Sequence, residues 1–176
     1  MHNQVAAIVV LDSDGGRIAV KYFGEHDDFK DFAAQQKFEK QLSEKSNRLT
    51  GRNDVEIMMV GEYLALFRSS NDVVVYLVGE GDENELMLLE LMNAIYQCIC
   101  TITGNQVWRR SLLEHLDSLF LMLDECTDGG IIFGTDPAII TQRSNMLEGE
   151  PQEGQPFQAA LASAREHISR QLFSQS

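Results

Sequence analysis

The chain has 176 residues, the length of one ordinary domain with a tail. Hydrophobic residues make up 44% of it, which is enough for a core and argues against an intrinsically disordered chain. The formal net charge of -13 disfavours direct binding to nucleic acid or to an anionic membrane, because both of these are negatively charged.

The N-terminal half predicts a hairpin, a helix and a three-stranded meander. Val5–Leu11 and Arg17–Phe23 are β-type runs on either side of a polar, glycine-rich turn. Asp27–Ser46 has apolar residues at spacings of three and four, which is typical of a helix. Polar connections of two to four residues then favour antiparallel pairing of three short strands: Val55–Val60, Tyr63–Arg68 and Val73–Val78.

The C-terminal half predicts helices. Glu83–Thr103 carries two apolar stripes, which indicates burial on more than one side. Val107–Cys126 is amphipathic, and Ile131–Phe133 is a short extended piece. Asp136-Pro137 is typical of an N-cap followed by the first residue of a short helix.

The last thirty residues predict a separate element. Glu148–Pro156 is polar and rich in Glu, Gln, Gly and Pro, which is typical of a linker. Phe157–Phe173 is amphipathic and predicts a final helix. We therefore expect one domain over residues 1–147, a linker over 148–156 and a C-terminal helix within 157–176.

The apolar pattern also predicts the order of the strands. Val5–Leu11 and Val73–Val78 are the most continuously apolar strands, and strands covered on both faces lose their polar alternation. If these two are central and each hairpin runs outward, the order is 2-1-5-4-3, with one helix on one face and two on the other. This predicts an α/β (α+β) fold with a five-stranded mixed, mostly antiparallel sheet, plus C-terminal helices.

No motif predicts a catalytic, cofactor-binding or metal site. Gly79–Asn84 lies between a strand and a helix, as a dinucleotide fingerprint would, but it lacks the third glycine and places carboxylates where a pyrophosphate would lie. The four histidines form neither an HExxH motif nor a metal-spaced pair with cysteine. We interpret Cys98 and Cys100 as small core residues and His115 as a helix-surface residue, so we expect no enzyme activity and no cofactor.

The cysteines and the apolar segments bear on localisation. Three cysteines, an odd number, favour a reducing compartment such as the cytoplasm. We recognise no signal peptide and no lipidation motif. Leu86–Ile102 is long and apolar but carries Glu90, Asn93 and Gln97, which is unusual for a helix in contact with lipid. We therefore expect a cytoplasmic protein that reaches a membrane only indirectly.

The charges are unevenly distributed. Lys30–Arg52 holds six cations against three acids, whereas Asn71–Glu150 holds 14 acids against three arginines. Two interpretations stay open: ordinary solvated faces, or an acidic docking surface for a basic partner. Asp124 and Glu125 form part of an acidic cluster at a helix C-terminus, the unfavourable end of the helix dipole. Their position suggests a polar contact with a partner or with the following loop.

A series of short motifs runs in order along residues 5–145. They are Ala7–Asp12, Asp14-Gly15, Lys21-Tyr22, Lys37–Lys40, Ser69–Val73, Tyr76–Gly79, Glu83–Leu88, Leu112–Glu114, Leu123–Glu125, Asp128–Ile132 and Asp136-Pro137. In this order the motifs resemble the coatomer zeta subunits, which belong to the clathrin adaptor complex small chain family. Asn84–Leu86 and Gly104-Asn105 also resemble the small chains of clathrin adaptors. Gly24–Phe32 and Glu148–Pro156 depart from the pattern.

The resemblance implies a longin-like (SNARE-like) fold and a non-enzymatic subunit of the coatomer (COPI) vesicle coat. In this family the small subunit nests in the N-terminal trunk of a large subunit, here coatomer gamma. The heptameric coat is recruited by Arf in its GTP form. The resemblance further implies Golgi-to-ER retrograde and intra-Golgi transport, on the cytosolic face of Golgi membranes and COPI-coated vesicles.

Two surfaces are candidates for meeting the large subunit: the acidic helical layer and the doubly apolar helix. The candidate interface residues are Leu86, Leu89, Met92, Tyr96, Asp124 and Glu125. One alternative is a longin small subunit of another adaptor coat that binds sorting peptides. Another is a small-molecule sensor or enzyme, which would need a polar pocket with perturbed titratable groups.

Overall fold

The structure is a computed structural model that describes residues 4–49 and 54–148. The described residues up to Asn145 belong to the first compact unit of the chain. Apart from Glu148, the predicted linker Glu148–Pro156 and the predicted helix Phe157–Phe173 lie outside the described residues. The division into a domain, a linker and a C-terminal helix therefore stays a prediction.

A five-stranded sheet forms the centre of the first unit, with strand order β2-β1-β5-β4-β3, as predicted. All four pairings are antiparallel, so the mixed sheet that was expected has no parallel pair. β2 and β3 do run in the same direction, but they lie at opposite edges and do not pair. The strands are β1 (Ala7–Asp12), β2 (Arg17–Tyr22), β3 (Glu56–Val60), β4 (Tyr63–Ser70) and β5 (Val73–Glu80).

Helices cover both faces of this sheet. On one face lie a 3-10 turn, Asp27–Phe29, and α1 (Phe32–Ser46). The remaining elements lie on the opposite face of the sheet or pack against the helices there. These are α2 (Glu85–Ile102), α3 (Arg109–Glu114), α4 (Leu116–Cys126), the short hairpin β6 (Thr127–Asp128) and β7 (Ile131–Ile132), and α5 (Pro137–Glu148).

The two central strands are buried on both sides. Ile8 and Val10 of β1 point into the core beneath α2 and α4, whereas Val9 and Leu11 point into the core beneath α1. All four side chains are fully buried. This two-sided burial explains the continuous apolar run from which the central position was predicted.

Two of the predicted helices are divided. The segment Asp27–Ser46 contains the 3-10 turn and α1, because the Asp31 carboxylate accepts a hydrogen bond from the Ala34 N–H (2.8 Å) and begins α1 there. The segment Val107–Cys126 is interrupted at His115, whose backbone leaves the helical region (φ -117°, ψ 32°). Asp136 caps α5 as predicted, accepting from the Ala138 N–H at 2.9 Å.

α2 is long and apolar enough to span a membrane by length and composition, with a mean hydropathy of 1.3. In the structure, seven of its apolar side chains are buried in the core, whereas Leu86 and Met87 are exposed. Leu88, Leu91 and Ile95 are fully buried in the cluster that α2 forms with the sheet and α4. This packing accounts for the apolar composition of the helix.

Candidate partner-binding surface

The outer strand β3 exposes two large apolar side chains on the same face of the sheet as α2. Ile57 and Met59 are each 45% exposed. Among the described strands, β3 pairs only with β4, and the register places Ile57 beside Leu66 and Met59 beside Leu64. Leu64 and Leu66 are buried in the core beneath α2. Because α2 packs on β4 and β5, the elements within the described residues leave the apolar face of β3 exposed.

One side of α2 continues this apolar face. Leu86 is 71% exposed, and Leu89 and Tyr96 are half-buried. Tyr96 shows which way this side points, because the guanidinium of Arg68 on β4 stacks over its ring, 3.8 Å from the centroid. The helix rises about 15 Å over the ten steps from Leu86 to Tyr96, and Leu64 to Arg68 spans about 14 Å of strand. The helix side and the strand therefore run alongside each other.

We call the exposed set formed by these two elements the α2–β3 surface. Arg68 lies at its edge, and the Nε atom of Arg68 is buried without a hydrogen-bond partner in the part of the chain that the structure describes. The Tyr96 ring supplies the compensating contact for that cation. The α2–β3 surface comprises Ile57, Met59, Leu86, Leu89 and Tyr96.

Carboxylates surround the end of this surface at which α2 begins. A Cβ built on Gly81 would lie 2.6 Å from the Glu62 carbonyl oxygen and 3.2 Å from Met59 Cε, so the β5–α2 loop contacts the β3–β4 turn closely. This contact brings acidic residues of three segments to one place. Four are exposed and form no ion pair with another described residue: Glu62, Asp82, Glu85 and Glu90.

Met92, one of the six predicted interface residues, is fully buried and cannot contact a partner. The reason is the helical repeat. Each step of three residues turns a position by about 60° around the helix, so Met92 lies about 120° from Leu86, beneath the helix. The step of four to Tyr96 turns it back by about 40°. Including Met92 in the interface was therefore wrong, whereas Leu86, Leu89 and Tyr96 share one side.

Asp124 and Glu125 lie elsewhere in the molecule. The Asp124 carboxylate pairs with the ammonium of Lys21 on β2, the edge strand opposite β3. Glu125 lies 4.0 Å from the Arg143 guanidinium of α5. These contacts give the acids at the C-terminus of α4 partners within the chain, and they separate both acids from the α2–β3 surface.

The two oppositely charged regions of the sequence lie on opposite faces of the sheet. α1 carries exposed cations, among them Lys37, Lys40 and Lys45. The acidic helices α2 and α4 pack on the other face. The exposed apolar side of α2 therefore belongs to the negative face of the domain.

The cysteine and histidine side chains that could carry chemistry have structural surroundings. Burial raises the pKa of the Cys98 and Cys126 thiols, which makes both poor nucleophiles. His115 is exposed, and its Nδ1 lies 2.8 Å from the Ser111 carbonyl oxygen at the end of α3. Within residues 4–49 and 54–148, no three His, Cys, Asp or Glu side chains are grouped to hold a metal ion.

A cleft of about 530 Å³ lies between the β1–β2 turn and α1. Its charged lining residues are the pair formed by Arg17 and Glu39, together with Asp14, Lys40 and Glu44. Glu39 also accepts a hydrogen bond from the Tyr22 hydroxyl at 2.8 Å, and burial together with this contact raises the pKa of Tyr22. The carboxylate is thus occupied in joining the hairpin to the helix.

The sequence was compared with known protein families and relatives. The family model described as clathrin adaptor complex small chain matches residues 4–150. Coatomer subunit zeta-3 of Oryza sativa subsp. japonica is 38% identical over 176 residues, covering 97% of each chain. Coatomer subunit zeta-1 of Homo sapiens is 36% identical over 170 residues, covering 96% of this chain and 92% of the relative. This chain is a member of the clathrin adaptor small chain family, among the coatomer zeta subunits.

A structural neighbour supports the fold of this family member. The match is a chain of a homology model of the full-length AP-3 complex in a stretched open conformation, with a TM-score of 0.65. It covers 92% of this chain and 98% of that chain, at 13% sequence identity. Together with the observed strand order, this likeness identifies the fold as longin-like.

Sequence reasoning missed three residues of this region: Ile57, Met59 and Arg68. The run Val55–Val60 was predicted as a strand, and its apolar residues on both faces were the available signal. An edge strand with apolar side chains on both faces exposes one set unless a further element covers it. The stacking of Arg68 on Tyr96 joins residues far apart in the chain and has no signal in the local sequence.

Proposed function

We propose that this chain is a non-enzymatic subunit of the coatomer (COPI) vesicle coat, which acts by binding a large subunit. Its membership of the coatomer zeta subunits, at 33% to 38% identity over nearly the whole chain, is the observation that supports this most strongly. The buried thiols and the internally paired Glu39 are consistent with an interaction module.

The proposed direct partner is the N-terminal trunk of coatomer gamma, as the family resemblance implies. The α2–β3 surface supports this proposal, because a monomeric protein has no evident use for so many exposed apolar side chains on one face. Leu86, Leu89 and Tyr96 are the proposed contacts on α2. Through gamma, the chain would join the heptameric coat and respond to Arf-GTP.

The proposed location is the cytosolic face of Golgi membranes and COPI-coated vesicles, in Golgi-to-ER retrograde and intra-Golgi transport. The family resemblance supports this step. The formal charge of -13 supports indirect recruitment, because an anionic leaflet repels such a chain unless a partner holds it there.

Co-expression with two large-chain trunks tests this function. A tagged form of the full chain is expressed with the coatomer gamma trunk and, in parallel, with the trunk of a clathrin adaptor large chain. We expect a 1:1 complex with coatomer gamma on size-exclusion chromatography. Failure to form it, or a complex with the clathrin adaptor trunk instead, would contradict the proposal; the second result would favour the other adaptor coat.

A further inference from the structure

We propose that the α2–β3 surface receives one amphipathic helix with a basic flank, supplied by the partner large chain. This inference rests on the proposed function and specifies the element that the partner contributes. The new helix lies over β3 beside α2 and completes the helical layer on that face of the sheet.

The widths of the two layers support a missing helix. Neighbouring strands are about 4.8 Å apart and packed helices about 10 Å apart, so one helix covers about two strands. α2 packs on β5 and β4. α4 lies towards β2, where Asp124 meets Lys21. Among the described helices, two therefore cover four of the five strands, and Ile57 and Met59 of β3 are exposed.

The length of the α2–β3 surface fits a helix of about three turns. The exposed side of α2 from Leu86 to Tyr96 is about 15 Å long, which matches ten helical residues. Ile57 and Met59 form the floor. Apolar residues at i, i+3, i+4 and i+7 of an incoming helix would contact both the floor and the side of α2.

The free edge of β3 is less suited to receiving a strand. The ammonium of Lys45 on α1 donates a hydrogen bond to the Met59 carbonyl oxygen. A strand added at this edge would have to displace that lysine from the ladder acceptor it occupies. A helix lying on the face of β3 leaves the contact intact.

Charge indicates the chemistry of the incoming helix. Four exposed carboxylates lie on the β3–β4 turn, the β5–α2 loop and the first two turns of α2 without an ion-pair partner among the described residues: Glu62, Asp82, Glu85 and Glu90. Lys or Arg side chains on the flank of the helix complement them. A second copy of this chain is disfavoured as a whole, because its formal net charge is -13 and its exposed cations are confined largely to the α1 face.

The first test measures binding of the coatomer gamma trunk to I57D and M59D by isothermal titration calorimetry. The matched control is I139D, since Ile139 is 48% exposed on α5. We expect Kd to rise roughly tenfold or more in the two β3 variants and by less than about twofold in the control. Far-UV circular dichroism and thermal melts establish that each variant is folded.

A second test changes charged residues on α2 and leaves the strands of the sheet unchanged. Glu85 and Glu90 are exposed on α2, and E85K/E90K is compared with D117K/D128K, which reverses two exposed charges elsewhere. We expect only E85K/E90K to weaken binding and to reduce its dependence on salt between about 50 and about 300 mM. Equal effects of the two double variants would overturn the assignment of the basic flank.

Photo-crosslinking from position 86 identifies the occupant. We expect a cross-link to a basic amphipathic helix of the gamma trunk, and a cross-link to a strand, to a second copy or to a different class of protein would overturn the inference. Folded I57D and M59D variants that bind like the unmodified chain would also overturn it and leave the proposed function standing. Failure of the unmodified chain to bind gamma contradicts the proposed function itself.

Discussion

Glu39 shows how one buried carboxylate joins two elements that are distant in sequence. It is 4% exposed, and its oxygens accept hydrogen bonds from the Arg17 guanidinium and the Tyr22 hydroxyl. Both donors lie on β2, whereas Glu39 lies on α1. The ion pair therefore holds α1 on its face of the sheet. In the sequence, Glu39 was counted only as one of three acids in the basic segment Lys30–Arg52.

Replacement of this carboxylate should be costly. We expect E39A to lower the free energy of unfolding by about 2–3 kcal/mol, because Arg17 and Tyr22 would lose the buried carboxylate that they share. E44A is the matched control. The Glu44 side chain is 56% exposed and 3.9 Å from the Lys40 ammonium, so its loss should cost less than about 0.5 kcal/mol. Urea denaturation measures both, and equal losses would contradict this role of Glu39.

At the scale of the elements, a glycine sets how closely α2 approaches the sheet. A Cβ built on Gly79 of β5 would lie 2.8 Å from Leu88 Cδ1 and 3.0 Å from the Gln4 carbonyl oxygen. Asn84 then begins α2, its Oδ1 accepting from the Leu86 N–H at 3.0 Å. The segment that resembled a nucleotide fingerprint thus serves close packing and helix capping.

We expect G79A to lower the free energy of unfolding by about 1–3 kcal/mol, since the added methyl group must displace α2 or the N-terminal backbone. G134A is the control, because a Cβ there meets nothing within 4 Å. Thermal denaturation compares the two. Equal melting temperatures for G79A and the unmodified chain would show that α2 has room to shift.

At the scale of the whole molecule, folding removes several weakly acidic groups from water. Burial raises the pKa of Tyr22, Tyr63 and Tyr76, to about 12 for Tyr63. Burial also raises the pKa of the Cys98 and Cys126 thiols. In the unfolded chain these groups lose their protons nearer to their ordinary values, about 8.5 for cysteine and about 10 for tyrosine.

The sign of the pH dependence follows. Above about pH 9 the unfolded state binds fewer protons than the folded state, so the free energy of unfolding falls as pH rises. We expect a continuous loss between about pH 9 and about pH 11, measured by urea denaturation at constant ionic strength. Y22F/Y76F should show a shallower decline above about pH 10. A free energy of unfolding that stays constant or rises over this pH range would contradict the raised pKa values of these tyrosines and cysteines.

Much of the architecture could be predicted from local patterns. The continuous apolar runs of β1 and β5 placed them at the centre, and short polar turns made the hairpins antiparallel. These features depend on burial and turn chemistry, which act over a few residues. The helix breaks at Asp31 and His115 were missed, because the apolar spacing continues through both positions.

By itself, the sequence determined the strand order, the family and the separation of charge between two segments, since each follows from patterns read along the chain. Only the tertiary structure decided which residues form the α2–β3 surface. It placed Met92 inside and left Ile57 and Met59 uncovered, and it paired Asp124 with Lys21 at the opposite edge. Exposure depends on which element covers which strand, and that arrangement comes from packing between segments far apart in the chain.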